Sequence, residues 1–257
     1  MEEIRKEIEH KLLEIEQKEQ VRILHAVESG SRAWGFASPD SDYDVRFIYV
    51  RTKEDYLRLD APRDVIEWQL DEVLDINGWD LKKALIQFHR GNASLFEWAN
   101  SPIVYKTTET WGQIFRKAVE YFSVKAAVYH YYGTANSTFC QYLQADSVRY
   151  KKYFYALRPL LACRYIRAHG RPAPVLFEEL LDADLPAALA DGIAELMARK
   201  AGTKEGEEHP QIPVIREYIV QELANQKMWV QNAPDDRKAD WMPLNRIFLD
   251  VLELNEK

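Results

Sequence analysis

The chain has little of what staples, anchors or electrostatically biases a protein. Two cysteines, Cys140 and Cys163, are too few for a disulfide framework and sit in no metal-type cluster. A reducing, cytoplasmic setting is therefore expected, with both thiols in the core. Apolar runs are broken by Lys, Arg or His well before ~18 residues, so no membrane-spanning helix is expected. The opening MEEIRKEIEHKLLEIEQKEQ lacks the basic-then-apolar order of a secretory signal. Positive charge is not in surplus: 34 Lys and Arg stand against 41 Asp and Glu, a formal net charge of −7, which argues against a broadly basic nucleic-acid-binding surface. Repeats of fixed period and low-complexity tracts are missing as well.

What is present suits a soluble globular protein, with 47% hydrophobic and 29% charged residues and enough length for one large core or two modest ones. Ile4, Ile8, Leu12 and Ile15 recur at helical spacing and predict an amphipathic helix over 2–19. VRILHAVE, 21–28, reads as a first strand, with His25 on a sheet face or in the core. A second strand is expected over 44–50 and a third over 64–70. LDINGWDL leads into a helix over 79–90 that stops at Gly91, and NASLFEWAN starts another. From residue 111 the periodicity is helical over 111–130, 136–168, 178–200, 213–226 and 241–254, with Gly133, Gly170, Pro172, Gly202 and Pro210 as punctuation. The expected fold is α+β: a small mixed sheet with flanking helices over 1–108, then an all-helical domain over 109–257.

Chemistry concentrates in 28–49, ESGSRAWGFASPDSDYDVRFIY. A Gly30-Ser31 turn after the first strand can bring successive N–H groups and a hydroxyl close to phosphate oxygens. Asp42 and Asp44 lie two apart at the start of the next strand, so their carboxylates share one side about 7 Å apart along the backbone. Two such acids repel unless a cation lies between them. Oxygen donors with no nearby His or Cys suit magnesium, or manganese, better than zinc. Arg46 shares their face and either neutralises them or touches phosphate, while Arg32 can reach a triphosphate. Trp34 and Phe36 either pack beneath the loop or offer a surface to a base.

The order Gly-Ser, about ten residues, Asp-x-Asp resembles the signature of the DNA polymerase beta-like nucleotidyltransferases. The longer strings GSRAWGFASPDSDYDVRFIYV, LDINGWDLKKAL, GNASLFEWANSPIVY and KKYFYALRPLLACRYI are similar to its YcgL/RlaP branch, associated by name with RNA repair. The branch has Asn-Pro where this chain has Asn92-Ala93, a departure that bears on the local turn. The resemblance implies transfer of a nucleoside monophosphate from a nucleoside triphosphate, ATP among the candidates, to an acceptor hydroxyl with loss of pyrophosphate. It implies Gly30 and Ser31 on the phosphates, two Mg2+ ions on Asp42 and Asp44, and a third acid completing the metal site. Asp75 matches the position of that acid, and Glu67 is its rival.

A local basic island contrasts with the acidic whole. Between Ser147 and Phe177 there is no Asp or Glu, but there are seven basic residues: Arg149, Lys151, Lys152, Arg158, Arg164, Arg167 and Arg171. Lys151, Lys152 and Arg158 are the expected phosphate contacts, and Pro159 is expected to kink their helix. An RNA end is the acceptor that fits the island; an aminoglycoside-like small molecule and a protein hydroxyl are further enzymatic readings. A non-catalytic nucleotide-binding module is the reading of another class, disfavoured because Gly30, Ser31, Asp42 and Asp44 are all present. The segment 203–213, TKEGEEHPQIP, is expected to be a loop.

Overall fold

The computed structural model describes residues 2–38, 41–71, 73–181, 185–200 and 207–254. The chain divides into two compact units, Met1–Phe122 with Arg237–Lys257, and Ser123–Asp236.

The first unit is an α+β layer structure. Helix α1 (Glu2–Glu19) precedes strand β1 (Arg22–Ser29), the short α2 (Gly30–Ala33), β2 (Tyr43–Val50), α3 (Lys53–Leu57), β3 (Val65–Leu70) and β4 (Leu74–Asp80). Then come α4 (Leu81–His89), α5 (Ala93–Ala99), β5 (Val104–Thr107) and α6 (Glu109–Ala118). The strands make one mixed sheet in the order β3-β4-β2-β1-β5, with β2 and β4 parallel and the other neighbours antiparallel. Alternation along β2 explains the layers. Val45, Phe47 and Tyr49 face α1, where Ile8, Leu12 and Ile15 close one core, while Ile48 and Val50 join Leu81, Phe88, Phe96 and Trp111 in the other. Asp44 and Arg46 therefore open the strand on the α4–α6 side. The β2–β4 register depends on Gly78, because a Cβ there would lie 2.1 Å from the Phe47 ring.

Capping side chains set the helix starts. Asp80 accepts the Lys82 N–H at 2.7 Å to begin α4, and Asn92 accepts the Ser94 N–H at 3.0 Å to begin α5. The Ala93 departure thus leaves the Asn-capped turn intact.

The second unit holds α7 (Val124–Tyr142), β6 (Ser147–Arg149), α8 (Tyr150–His169), α9 (Ala187–Lys200), β7 (Glu208–Pro210) and α10 (Pro213–Asn232). Helix α11 (Met242–Leu254) belongs to the first unit.

Several expectations are revised. The units part at 122/123 rather than at 108/109, because α6 and α11 bury Trp111, Ile114, Leu244 and Val251 in the sheet-face core. The helix expected over 111–130 is interrupted by a 3-10 turn, Val119–Tyr121, after which Ser123 caps α7 by accepting the Ala126 N–H at 3.0 Å. Gly133 continues α7 instead of ending it, and the run expected over 136–168 is split by β6. Part of 203–213 is ordered, since β7 pairs with β6; residues 203–206 lie outside the described residues. Pro159, expected to kink its helix, sits inside α8. Cys163 is buried, its thiol pushed well up by desolvation, but Cys140 is exposed on α7. Among the described residues, no helix is long and apolar enough to cross a membrane.

Candidate active site

Strand β1 ends at Ser29 and delivers Gly30 in the left-handed region, φ +61°. A Cβ at Gly30 would lie 2.1 Å from Asp44 Oδ2, so two independent constraints require glycine: the backbone angle and the carboxylate packed against it. Ser31 is buried in the single turn of α2, and its carbonyl accepts the Phe36 N–H at 3.2 Å.

The loop that follows is closed by its own side chains. Arg32 Nε donates to the Asp42 carbonyl at 3.0 Å, its Nη2 donates to the Ser41 carbonyl, and the guanidinium lies 3.7 Å from the Tyr43 ring centroid. Trp34 Nε1 donates to Glu97 Oε1 at 2.5 Å, and Phe36 is buried. The two aromatic rings pack at the loop, and Arg32, expected on phosphate, is engaged in holding the loop to β2.

Asp42 is exposed one residue ahead of β2. Asp44 is in β2 and pairs in register with Asp75 of the parallel β4. One nitrogen links them: Arg46 Nη2 donates to Asp44 Oδ1 at 3.1 Å and to Asp75 Oδ2 at 2.6 Å, and Nη1 donates to the Asp75 carbonyl at 2.9 Å. Both carboxylates remain 24% exposed. The rival acid stands apart. Glu67 is on β3, opposite Asn77, 67% exposed and 3.6 Å from Arg63. Among the described residues, no three His, Cys, Asp or Glu side chains group closely enough to hold a metal ion unaided.

With this geometry in hand, comparison with known proteins is decisive on kinship. The profile of the RNA repair pathway DNA polymerase beta family, RlaP, matches residues 4–250. The chain belongs to that family. It is also 42% identical over 245 residues to the uncharacterized protein YcgL of Bacillus subtilis (strain 168), covering 94% of each chain. RlaP is by its description a polymerase beta-type family of RNA repair, so the mixed sheet and its flanking helices are the fold such a family uses.

One residue of this RlaP-family site escaped the sequence reading. Glu28 is 0% exposed; Oε1 accepts the Asp44 N–H at 2.8 Å and Oε2 accepts the Tyr105 hydroxyl at 2.5 Å. Burial pushes its carboxyl up to about 7, against the two hydrogen bonds, which pull it down. The available signal was an acid at the end of a strand whose other late residues, Ala26 and Val27, are apolar, directly ahead of Ser29-Gly30. His25 meets its expectation as a core residue: it is 5% exposed, its ring stacks on Trp111 at 4.8 Å, and burial lowers it to about 4.

The basic trio belongs to the second unit and does not act as one patch. Lys151 and Lys152 lie together at Tyr155, their Nζ atoms 5.9 and 5.6 Å from its ring centroid, and Lys152 Nζ is also 4.0 Å from that of Tyr142, whereas Arg158 is separate from them. Arg158 requires a correction. It is only 1% exposed, and its Nε and Nη2 donate to the Val175 carbonyl at 3.2 and 3.1 Å. Its place on the inward stripe of α8, among Phe154, Leu157 and Leu161, turns the guanidinium into the unit, away from any phosphate in solvent.

Proposed function

We propose that the chain is a metal-dependent nucleotidyltransferase that moves a nucleoside monophosphate from a nucleoside triphosphate to the hydroxyl of an RNA end, releasing pyrophosphate. The observation that carries this reading is the pairing of Asp44 with Asp75 across β2 and β4, bridged by one Arg46 nitrogen beside the Gly30 turn. Membership of an RNA repair polymerase beta family supports it.

The donor chemistry of the Asp44–Asp75 pair suits a hard divalent cation. It offers carboxylate oxygens alone, and a positive group already lies between two of them. Asp42, Asp44 and Asp75 would hold magnesium, as two ions, with manganese an acceptable replacement. Bound there, the metal supplies Lewis acidity to the phosphoryl oxygens and lowers the pKa of the acceptor hydroxyl.

The protein's own groups do the positioning. Gly30, without a side chain, allows a triphosphate oxygen to approach the backbone N–H groups of the turn, and Ser31 adds a hydroxyl. Arg46, on the same strand face as the two acids, would be a cation available to the phosphate charge. Glu28 holds the Asp44 backbone on the far side of the strand. Lys151 and Lys152 are candidates for phosphates of the substrates. The hydroxyl attacks the α-phosphorus in line, the bond to the bridging oxygen breaks, and positioning with charge neutralisation lowers the barrier.

The test is transfer of label from each α-labelled nucleoside triphosphate, with magnesium, to pooled small RNA, to aminoglycosides and to the protein itself. Label on RNA that disappears in Asp44→Ala supports the reading and names the nucleotide. Label on the drug or the protein retains the chemistry and replaces the acceptor. Transfer that survives Asp44→Ala removes the metal assignment.

A further inference from the structure

Apart from Arg149 and Arg171, the basic island separates into two parts in the second unit. Its first part lies among Tyr142, Tyr155 and Val175, as described above. Its second part, Arg164 and Arg167, lines a cavity of about 660 Å³ between α8 and α10. That volume suits a ligand of nucleotide size.

Arg164 and Arg167 are three residues apart on α8 and so present their guanidinium groups on one helix face. From α10, Asn225, Trp229 and Asn232 recur at i, i+4 and i+7 and make one stripe along the facing wall. The Arg167 guanidinium lies 5.1 Å from the Trp229 ring centroid, and its Nη1 donates to Gln226 Oε1 at 3.2 Å. The single acid in the lining, Glu222, is matched from within. Its Oε1 accepts from Gln226 at 2.5 Å and its Oε2 from Asn225 at 3.2 Å, which orients its charge toward those amides. An indole face, two guanidinium groups and side-chain amides in one open cavity are the elements by which proteins hold a base and its phosphate in single-stranded RNA.

We infer that this cavity binds one nucleotide unit, its phosphate against Arg164 and Arg167 and its base against Trp229, and that it grips a single-stranded segment of the acceptor RNA. The choice of RNA rests on the proposed transfer function; the nucleotide-binding chemistry does not. The proposal moves the RNA contact away from Arg158, whose guanidinium is buried.

The experiment titrates the full chain, without divalent cation so that no transfer occurs, into a fluorescein-labelled short oligoribonucleotide followed by anisotropy, with AMP as competitor. Arg164→Ala/Arg167→Ala is expected to weaken RNA binding by about tenfold or more and to reduce the slope of log affinity against log salt by roughly 1.4. Trp229→Ala is expected to lose about tenfold and Trp229→Phe to recover most of it. Arg116→Ala/Lys117→Ala removes the same charge from α6 of the first unit and is expected to stay within about twofold of the parent chain.

If AMP competes at the oligomer's own affinity, and loses that in the arginine pair variant, the cavity holds a free nucleotide; preference for the oligomer assigns it to RNA. Equal loss in the α6 control, unchanged binding in the arginine pair variant, or no binding of either probe overturns the proposal. The two readings fail separately. Label transfer with binding indifferent to Arg164 and Arg167 removes only the cavity, whereas arginine-dependent binding without any transfer removes only the enzymatic reading.

Discussion

The end of the sheet that carries the acids has two faces, and they treat carboxylates in opposite ways. On the α1 side, Glu28 lies in register with Val45, is fully buried, and has each oxygen matched to one donor, the Asp44 N–H and the Tyr105 hydroxyl. On the other side, Asp44 and Asp75 stay partly open to solvent and share a single guanidinium nitrogen. A carboxylate closed by donors within the fold is a brace. One that stays partly open to solvent and leans on an arginine is placed to exchange that cation for another, as the proposed metal-and-triphosphate site would require.

The largest expected effect separates the open pair from its neighbour. Asp75→Asn should reduce label transfer by about two to three orders of magnitude, whereas Glu67→Gln should change it less than about threefold, because Glu67 is 67% exposed and its ion pair is with Arg63. Comparable losses in the two variants would break the contrast between the β4 acid and the β3 acid. Next in size is Gly30→Ala. The left-handed angle alone costs about 1 kcal/mol, and the added carbon must displace the Asp44 carboxylate. Displacement on the scale of ~1 Å predicts about a hundredfold loss of transfer with only a small change in melting temperature. Activity close to that of the parent chain would show that the Asp44 position seen here is not the working one.

The brace should respond in stability before activity. Glu28→Ala removes the acceptors of a buried N–H and a buried hydroxyl, and is expected to cost about 3 kcal/mol in denaturant unfolding. Transfer measured well below the unfolding transition should fall less than in Asp75→Asn. A stable Glu28→Ala chain with abolished transfer would reverse the roles assigned to the two faces.

These contrasts also show where sequence reasoning reached and where it stopped. Gly30 and Asp44 are fourteen residues apart on consecutive elements, so their proximity was legible from one strand-turn-strand pattern. The sheet and its α1 cover followed from alternation in β2 and the spacing of Ile8, Leu12 and Ile15. Which of Asp75 and Glu67 lies beside Asp44 depends on the parallel β2–β4 register, a long-range pairing with no local signature. Burial of Arg158 was equally hidden: within a run of cations it reads as surface, and only the fold reveals that Val175 supplies its acceptor. The return of α11 to the first unit is likewise a matter of which core has room for Leu244 and Val251.

The smallest expected effect concerns the same open face farther from the acids, where α6 closes over it. His25 stacks on Trp111 there, bonded through Nδ1 to Thr107 Oγ1 at 3.1 Å, and burial lowers its pKa from 6.5 to about 4. Between those values the unfolded chain binds a proton that the folded chain does not, so stability is full above about pH 6.5 and declines as pH falls toward 4. The two values bound the loss at about 3 kcal/mol. His25→Phe keeps an aromatic ring on Trp111 but cannot titrate. Its urea midpoint should therefore change less between pH 7.5 and pH 4.5 than that of the parent chain, by up to that amount. Parallel declines in the two proteins would place the acid sensitivity elsewhere and leave His25 as packing alone, making the closed part of this face as insensitive to protonation as its apolar neighbours.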